Sequence, residues 1–157
     1  MTGPLTLAFE VGCPPHRAFA LWTGGIDTWW PSDHTVTGRP DLTVVLEEGV
    51  GGRIFERTPD GDEYDWGEVT LWEPPDRLGY RWHLGTDRDG ATDVTVRFVA
   101  RAPTGTRVEI EHRGWERLGA SGDERRRRNR AGWESLLPHY LGITTETIPT
   151  TGDEEAP

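Results

Sequence analysis

Between Thr43 and His112 the sequence repeats one rhythm six times. A short run with two-residue alternation is followed by a cluster of Gly, Pro or Asp, so this stretch is confined to strands joined by tight connections. The runs are Thr43 to Glu48, Arg53 to Arg57, Tyr64 to Glu73, Arg77 to Leu84, Ala91 to Ala100 and Thr106 to His112. Between them lie Gly49 to Gly52, Pro59 to Asp62, Pro74-Pro75-Asp76, Asp87 to Gly90 and Pro103-Thr104-Gly105. Connections this short cannot hold a crossover helix, so consecutive strands must be antiparallel neighbours. An earlier strand is predicted at Leu5 to Val11, where Leu5, Leu7, Phe9 and Val11 alternate with smaller or polar residues. Pro14-Pro15 opens a helix carrying Ala18, Phe19 and Trp22, and Ile26, Trp29 and Trp30 predict a second short helix after Gly24-Gly25. Near the other end Trp133, Leu136, Leu137, Tyr140 and Leu141 form one apolar stripe, predicting a helix from about Asp123 to Leu141 with a kink at Pro138. Strand, two helices, six strands and a long helix define an α+β domain in which a curved antiparallel sheet grips the last helix.

Strand parity then selects the side chains facing that helix. Leu78, Tyr80, Trp82 and Leu84 share one face, as do Val94, Val96 and Phe98, and Val108, Ile110 and His112. The opposite faces carry charges of alternating sign, the pattern of solvent-facing cross-strand pairs. Leu, Ile, Val and Phe total only 31 of 157 residues, just under the fifth at which high net charge points to disorder. Eight Trp supply the missing apolar area, and an aromatic-rich folded core is expected. One domain over residues 1–142 is predicted, and 143–157, rich in Thr, Glu, Gly and Pro, is expected to be a disordered acidic tail.

All 17 basic residues are Arg. Without Lys, a Schiff-base enzyme, a Lys nucleophile and a Walker A phosphate loop are excluded. The formal charge of −10 argues against nucleic acid and anionic membrane surfaces as partners, because the overall field repels phosphate. The longest apolar run, Ala18 to Trp22, is far too short to span a membrane, and no secretory n-region precedes Arg17, so a cytoplasmic protein is expected. The single Cys13 permits no internal disulfide.

Several pieces resemble a known family. They are Pro-Pro-x-x-x-Phe-x-x-Trp at Pro14 to Trp22, Trp29-Trp30-Pro31, Gly51-Gly52, Gly67-x-Val69 running to Pro74-Pro75-x-x-Leu78, and Trp82. Gly105-Thr106-x-Val108-x-Ile110-x-His112-x-Gly114 and Gly132-Trp133 with Leu136 and Leu137 complete the series. In order and spacing these resemble the START-like or SRPBCC superfamily, and within it the proteins named for homology to the activator of heat-shock protein 90 ATPase. The likeness covers roughly Leu5 to Leu141. It implies a helix-grip fold with a cavity between sheet and C-terminal helix, and a superfamily whose members bind apolar molecules, catalyse aromatisation or cyclisation, or stimulate a chaperone.

Residue by residue, the expected cavity lining is Trp66, Leu78, Tyr80, Trp82, Val94, Val96, Phe98, Ile110, His112, Arg126, Trp133 and Leu137. His112 ends a strand on the inward parity, where an imidazole can act as hydrogen-bond partner or base. Glu56 shares parity with Ile54, and faces inward if Ile54 does. Arg126 lies near the helix stripe and is a candidate handle for a ligand carboxylate, within a basic cluster of Arg125 to Arg128 and Arg130 that opposes the helix dipole. Asp33-His34 follows the double Trp in a loop able to orient a substrate at a cavity mouth. Cys13 precedes a helix start, where its thiol is read as partly buried and inert. His16, His34, His83, His112 and His139 show no metal-binding spacing, so neither a metal nor a cofactor is expected. The leading expectation is a non-catalytic binder of a small apolar or aromatic molecule. A cyclase or hydrolase acting on a polyketide-like substrate through His112 or Glu56 is the alternative, followed by a protein-interaction or chaperone-regulating module. The sequence leaves the oligomeric state open.

Overall fold

The computed structural model describes residues 3–84 and 90–155. Seven strands, β1 (Leu5–Val11), β2 (Thr43–Leu46), β3 (Arg53–Arg57), β4 (Glu63–Glu73), β5 (Arg77–Trp82), β6 (Thr92–Arg101) and β7 (Gly105–Arg113), form one sheet. Their order is β1-β7-β6-β5-β4-β3-β2, every pair antiparallel. The six predicted strands from Thr43 onward are all present; β2 stops at Leu46 and β5 at Trp82, short of the predicted ends. The predicted turn at 87–90 lies mostly outside the described residues.

Helix α1 (Pro15–Trp22) starts on Pro14 and buries Ala18, Phe19 and Trp22. The second predicted helix is instead two 3₁₀ turns, Ile26–Thr28 and Ser32–His34. Between Gly24-Gly25 and Pro31 no α-helical ladder has room to extend. Helix α2 (Gly122–Glu155) crosses the sheet as one helix through Pro138. The domain boundary expected after residue 142 therefore falls inside a helix. Thr144 is fully buried, with its hydroxyl donating to the Leu141 carbonyl at 2.9 Å, so the packed part of α2 extends beyond that boundary. Once a preceding turn is packed, a helix propagates with one hydrogen bond per residue and needs no further apolar stripe.

Parity governs the central sheet. Val94 pairs with His112, Val96 with Ile110 and Phe98 with Val108, and all six side chains are buried. Trp133, Leu136, Leu137 and Tyr140 of α2 close over them, and the Tyr140 hydroxyl donates to the Ala18 carbonyl of α1 at 2.7 Å. Trp22 joins the two helices, stacking on Trp133 with centroids 6.1 Å apart and meeting Tyr140 edge-on at 4.9 Å. Most buried indole N–H groups find an acceptor, Trp22 Nε1 being the exception among the described residues. Trp29 Nε1 reaches the Leu21 carbonyl, Trp30 Nε1 the His34 carbonyl and Trp115 Nε1 the His112 carbonyl. Two others, on Trp66 and Trp133, end on the side chains of Glu56 and His112.

Parity fails on β3. A register shift between Ile54 and Phe55 leaves Ile54, Phe55 and Glu56 all buried. Phe55 escapes solvent because Arg53 and Arg57 lay their guanidinium groups over its ring, 4.2 and 5.3 Å from the centroid. On β4, Gly67 permits close approach of β5, since a Cβ there would collide with the Arg81 carbonyl.

Candidate functional site

Where the sheet and α2 diverge, a cavity of about 530 Å³ opens. Trp30 and the 3₁₀ turn bearing Asp33 and His34 form one side, and Trp82 and Leu84 at the end of β5 form the second. Helix α2 supplies the third with Arg125, Arg128, Asn129, Gly132, Trp133 and Leu136. The indoles form a connected wall: Trp30 and Trp82 lie 5.7 Å apart, with Trp66 behind them at 5.1 and 5.9 Å. His34 is held by Nε2 facing Ser135 Oγ at 3.3 Å, with Asp33 Oδ1 3.9 Å from the same nitrogen. Because serine and carboxylate meet one nitrogen, this cluster lacks the relay geometry of a catalytic triad, in which they occupy opposite ring nitrogens.

The cavity lies at the end of the space that sequence parity assigned. Of the twelve expected lining residues, Trp82 and Trp133 face it. Trp66, Leu78, Tyr80, Val94, Val96, Phe98, Ile110 and Leu137 instead belong to the packed apolar core. Six buried Trp and two buried Tyr fill much of the volume between sheet and helices.

His112 is fully buried within this packing. Its Nδ1 accepts from Trp133 Nε1 at 3.1 Å and its Nε2 lies 2.6 Å from Thr92 Oγ1, which assigns the neutral Nε2–H tautomer donating to threonine. Burial pushes its pKa down to about 3; the Arg125 and Arg113 charges act in the same direction, and Asp93 opposes them. Both nitrogens are committed, so His112 joins β7 to α2 rather than offering a base to the cavity.

Glu56 is likewise fully buried and fully engaged. Oε1 accepts from Val36 N at 2.6 Å and Trp66 Nε1 at 2.7 Å, and Oε2 accepts from Thr37 N at 2.9 Å. The carboxylate thereby ties the segment following His34, and the indole behind Trp30, to β3. It positions the cavity rim from behind.

Arg126 turns away from the cavity. Its Nε and Nη2 donate to the Gly3 and Pro4 carbonyls at 2.8 and 2.9 Å, clamping the chain ahead of β1. We expect Arg126→Ala to accelerate amide exchange at Leu5 and Thr6 severalfold while changing global stability by less than about 1 kcal/mol, since both bonds are solvent-exposed. Unchanged exchange in β1 would show the clamp to be idle.

Cys13 is buried, and burial raises its thiol pKa with partial compensation from Arg17. Arg125, Arg128, Asn129 and Leu136 were missed as lining residues, although a helical signal existed: from Trp133, counting back four and eight and forward three reaches Asn129, Arg125 and Leu136. Among the described residues no cluster of His, Cys, Asp and Glu is placed to hold a metal, and no helix is long and apolar enough to cross a membrane.

A curved antiparallel sheet closed by a long C-terminal helix, with a cavity at the open end, defines a helix-grip domain of the START-like, SRPBCC type. The chain belongs to the activator of Hsp90 ATPase homolog 1-like family, whose model matches residues 12–144. It is similar to the self-sacrificing resistance protein CalC from Micromonospora echinospora, at 25% identity over 96% of both chains and a TM-score of 0.65. It is also similar to the anthrahydroquino-gamma-pyrone synthase Txn09, at 29% identity over 78% of this chain and 83% of that one, TM-score 0.56. Protein MLL2253 from Mesorhizobium loti shares the fold at 21% identity over 94% and 98% of the chains, TM-score 0.61. No curated protein sequence matches the chain.

Proposed function

We propose that this protein binds a small aromatic molecule in the cavity between Trp30, Trp82 and Trp133, without transforming it. The observation that carries this reading is the concentration of indole surface around one open space of about 530 Å³, within the range of small-molecule sites. The commitment of His112 and Glu56 to internal hydrogen bonds, and their position outside the cavity lining, supports the non-catalytic form. Likeness to an anthrahydroquino-gamma-pyrone synthase supports an aromatic ligand.

A titration of tryptophan emission with 2-naphthol, flavone and anthraquinone tests it. A saturable change is expected for at least one compound, and Trp82→Ala should weaken that binding at least tenfold. Trp82 is only half-buried, so its removal should cost less than the 3 to 5 kcal/mol of emptying a packed aromatic site. Absence of any response across the panel would overturn the reading.

One observation favours a catalytic reading. His34 stands on the cavity wall beside Ser135 and Asp33, the only imidazole lining it among the described residues. Turnover of a bound polyketide-like compound, lost in His34→Ala with binding retained, would establish that role.

A further inference from the structure

Helix α2 begins with a conflict. Five Arg lie among residues 125–130, close to a terminus that disfavours cations, and the two first-turn acids, Asp123 and Glu124, are outnumbered by them. The structure gives two of them neutralising or accepting partners: Arg126 on the Gly3 and Pro4 carbonyls, and Arg130 facing Glu134 at 3.6 Å. Arg125 and Arg128 instead stand on the cavity wall, and among the described residues no carboxylate lies within ion-pair distance of either. Arg125 is half-buried, so part of its hydration is already lost. Asn129 lies on the same wall, its Nδ2 donating to the Arg125 carbonyl at 2.9 Å.

Resting on the binding role above, we propose that the ligand is an aromatic acid. Its ring system lies against Trp30, Trp82 and Trp133, and its carboxylate is taken by the Arg125 and Arg128 guanidinium groups. A guanidinium presents its N–H donors in a planar fork that fits a carboxylate, and the gain is greatest where water is partly excluded. An anion at this position also relieves the crowding of positive charge at the start of α2. Asp33 marks the far end of the site: it lines the cavity with its side chain 82% exposed, and it repels a second acidic group there. The preferred ligand therefore carries its negative charge at one end.

The test compares 2-naphthoate with 2-naphthamide, which keeps the rings and removes the charge, by calorimetry and tryptophan emission. Wild-type protein should bind the acid at least tenfold more tightly, with an advantage that shrinks as salt rises. The R125Q/R128Q double variant should lose that advantage, the acid and the amide binding with similar affinity, its fold checked by urea unfolding. Should the double variant fold poorly, Arg128→Gln alone, at an exposed position, should still lose part of the preference. Equal wild-type affinities for the two probes would overturn the acid assignment and leave the binding role standing. Binding of neither would remove both, and a preference that survives both arginine substitutions would overturn the residue assignment.

Discussion

Glu56→Ala is expected to cost on the order of 4 kcal/mol in urea unfolding, a large share of the stability of a small domain. The substitution removes a fully buried carboxylate and three of its hydrogen bonds, stranding the buried Trp66 N–H and loosening the part-buried Val36 and Thr37 amides. Each buried donor without a partner carries its own desolvation penalty. Glu56→Gln should fall between wild type and Ala, because one oxygen still accepts while the new amide group opposes a donor. The effect also reaches the cavity. Val36 and Thr37 follow the turn bearing Asp33 and His34, and Trp66 backs Trp30, so ligand affinity should drop in the fraction of Glu56→Gln that remains folded. A cost below about 1 kcal/mol for Ala would show that water or a neighbouring group replaces the carboxylate.

The second large effect depends on pH. His112 has a folded pKa of about 3 against an ordinary value of 6.5, so between those values the unfolded chain binds a proton that the folded protein refuses. Its contribution is complete above pH 6.5 and declines as pH falls toward 3. At about 1.4 kcal/mol per unit, the total loss across that window is on the order of several kcal/mol. Urea midpoints measured from pH 7 to pH 4.5 should therefore fall steadily, through a range in which most carboxylates remain ionised. His112→Gln offers an acceptor to Trp133 and a donor to Thr92 without titrating, so its profile should be flatter whatever its absolute stability. An equally steep profile in the variant would move the origin of the acid sensitivity elsewhere.

The central sheet was legible because one physical rule governs it. Regular strands with one face covered must alternate, and β6 does so from Thr92 to Phe98 and β7 from Thr106 to His112, while β5 departs only at the buried Gly79. Where a bulge intervenes the rule fails. On β3 it was impossible to know from the chain that Ile54, Phe55 and Glu56 would all be buried, since that depends on a register shift and on arginines covering a ring. Whether the sheet and helix enclose an empty space was equally hidden. Alternation identifies which side chains point inward, but whether they meet depends on distances between elements remote in sequence. The arginines show the same limit at finer scale: Arg125 and Arg126 are adjacent and chemically identical, yet one helical step sends one to the cavity and the other to the backbone ahead of β1.

Strand β1 pairs only with β7, Leu5 opposite His112 and Val11 opposite Thr106. During synthesis the first strand must therefore wait while about a hundred further residues emerge, some 5 to 20 s at ordinary ribosomal rates. Closing so long a loop comes late, and topologies of this kind fold slowly. Thr6 and Glu10, exposed on the outer face of β1, give the waiting segment a polar side. The partner it awaits carries His112, which also receives Trp133 from α2. Sheet completion and helix docking thus converge on one residue, so the cavity forms only once β7 and α2 have both emerged, and a nascent chain truncated before α2 should expose its indole-rich interior to chaperones.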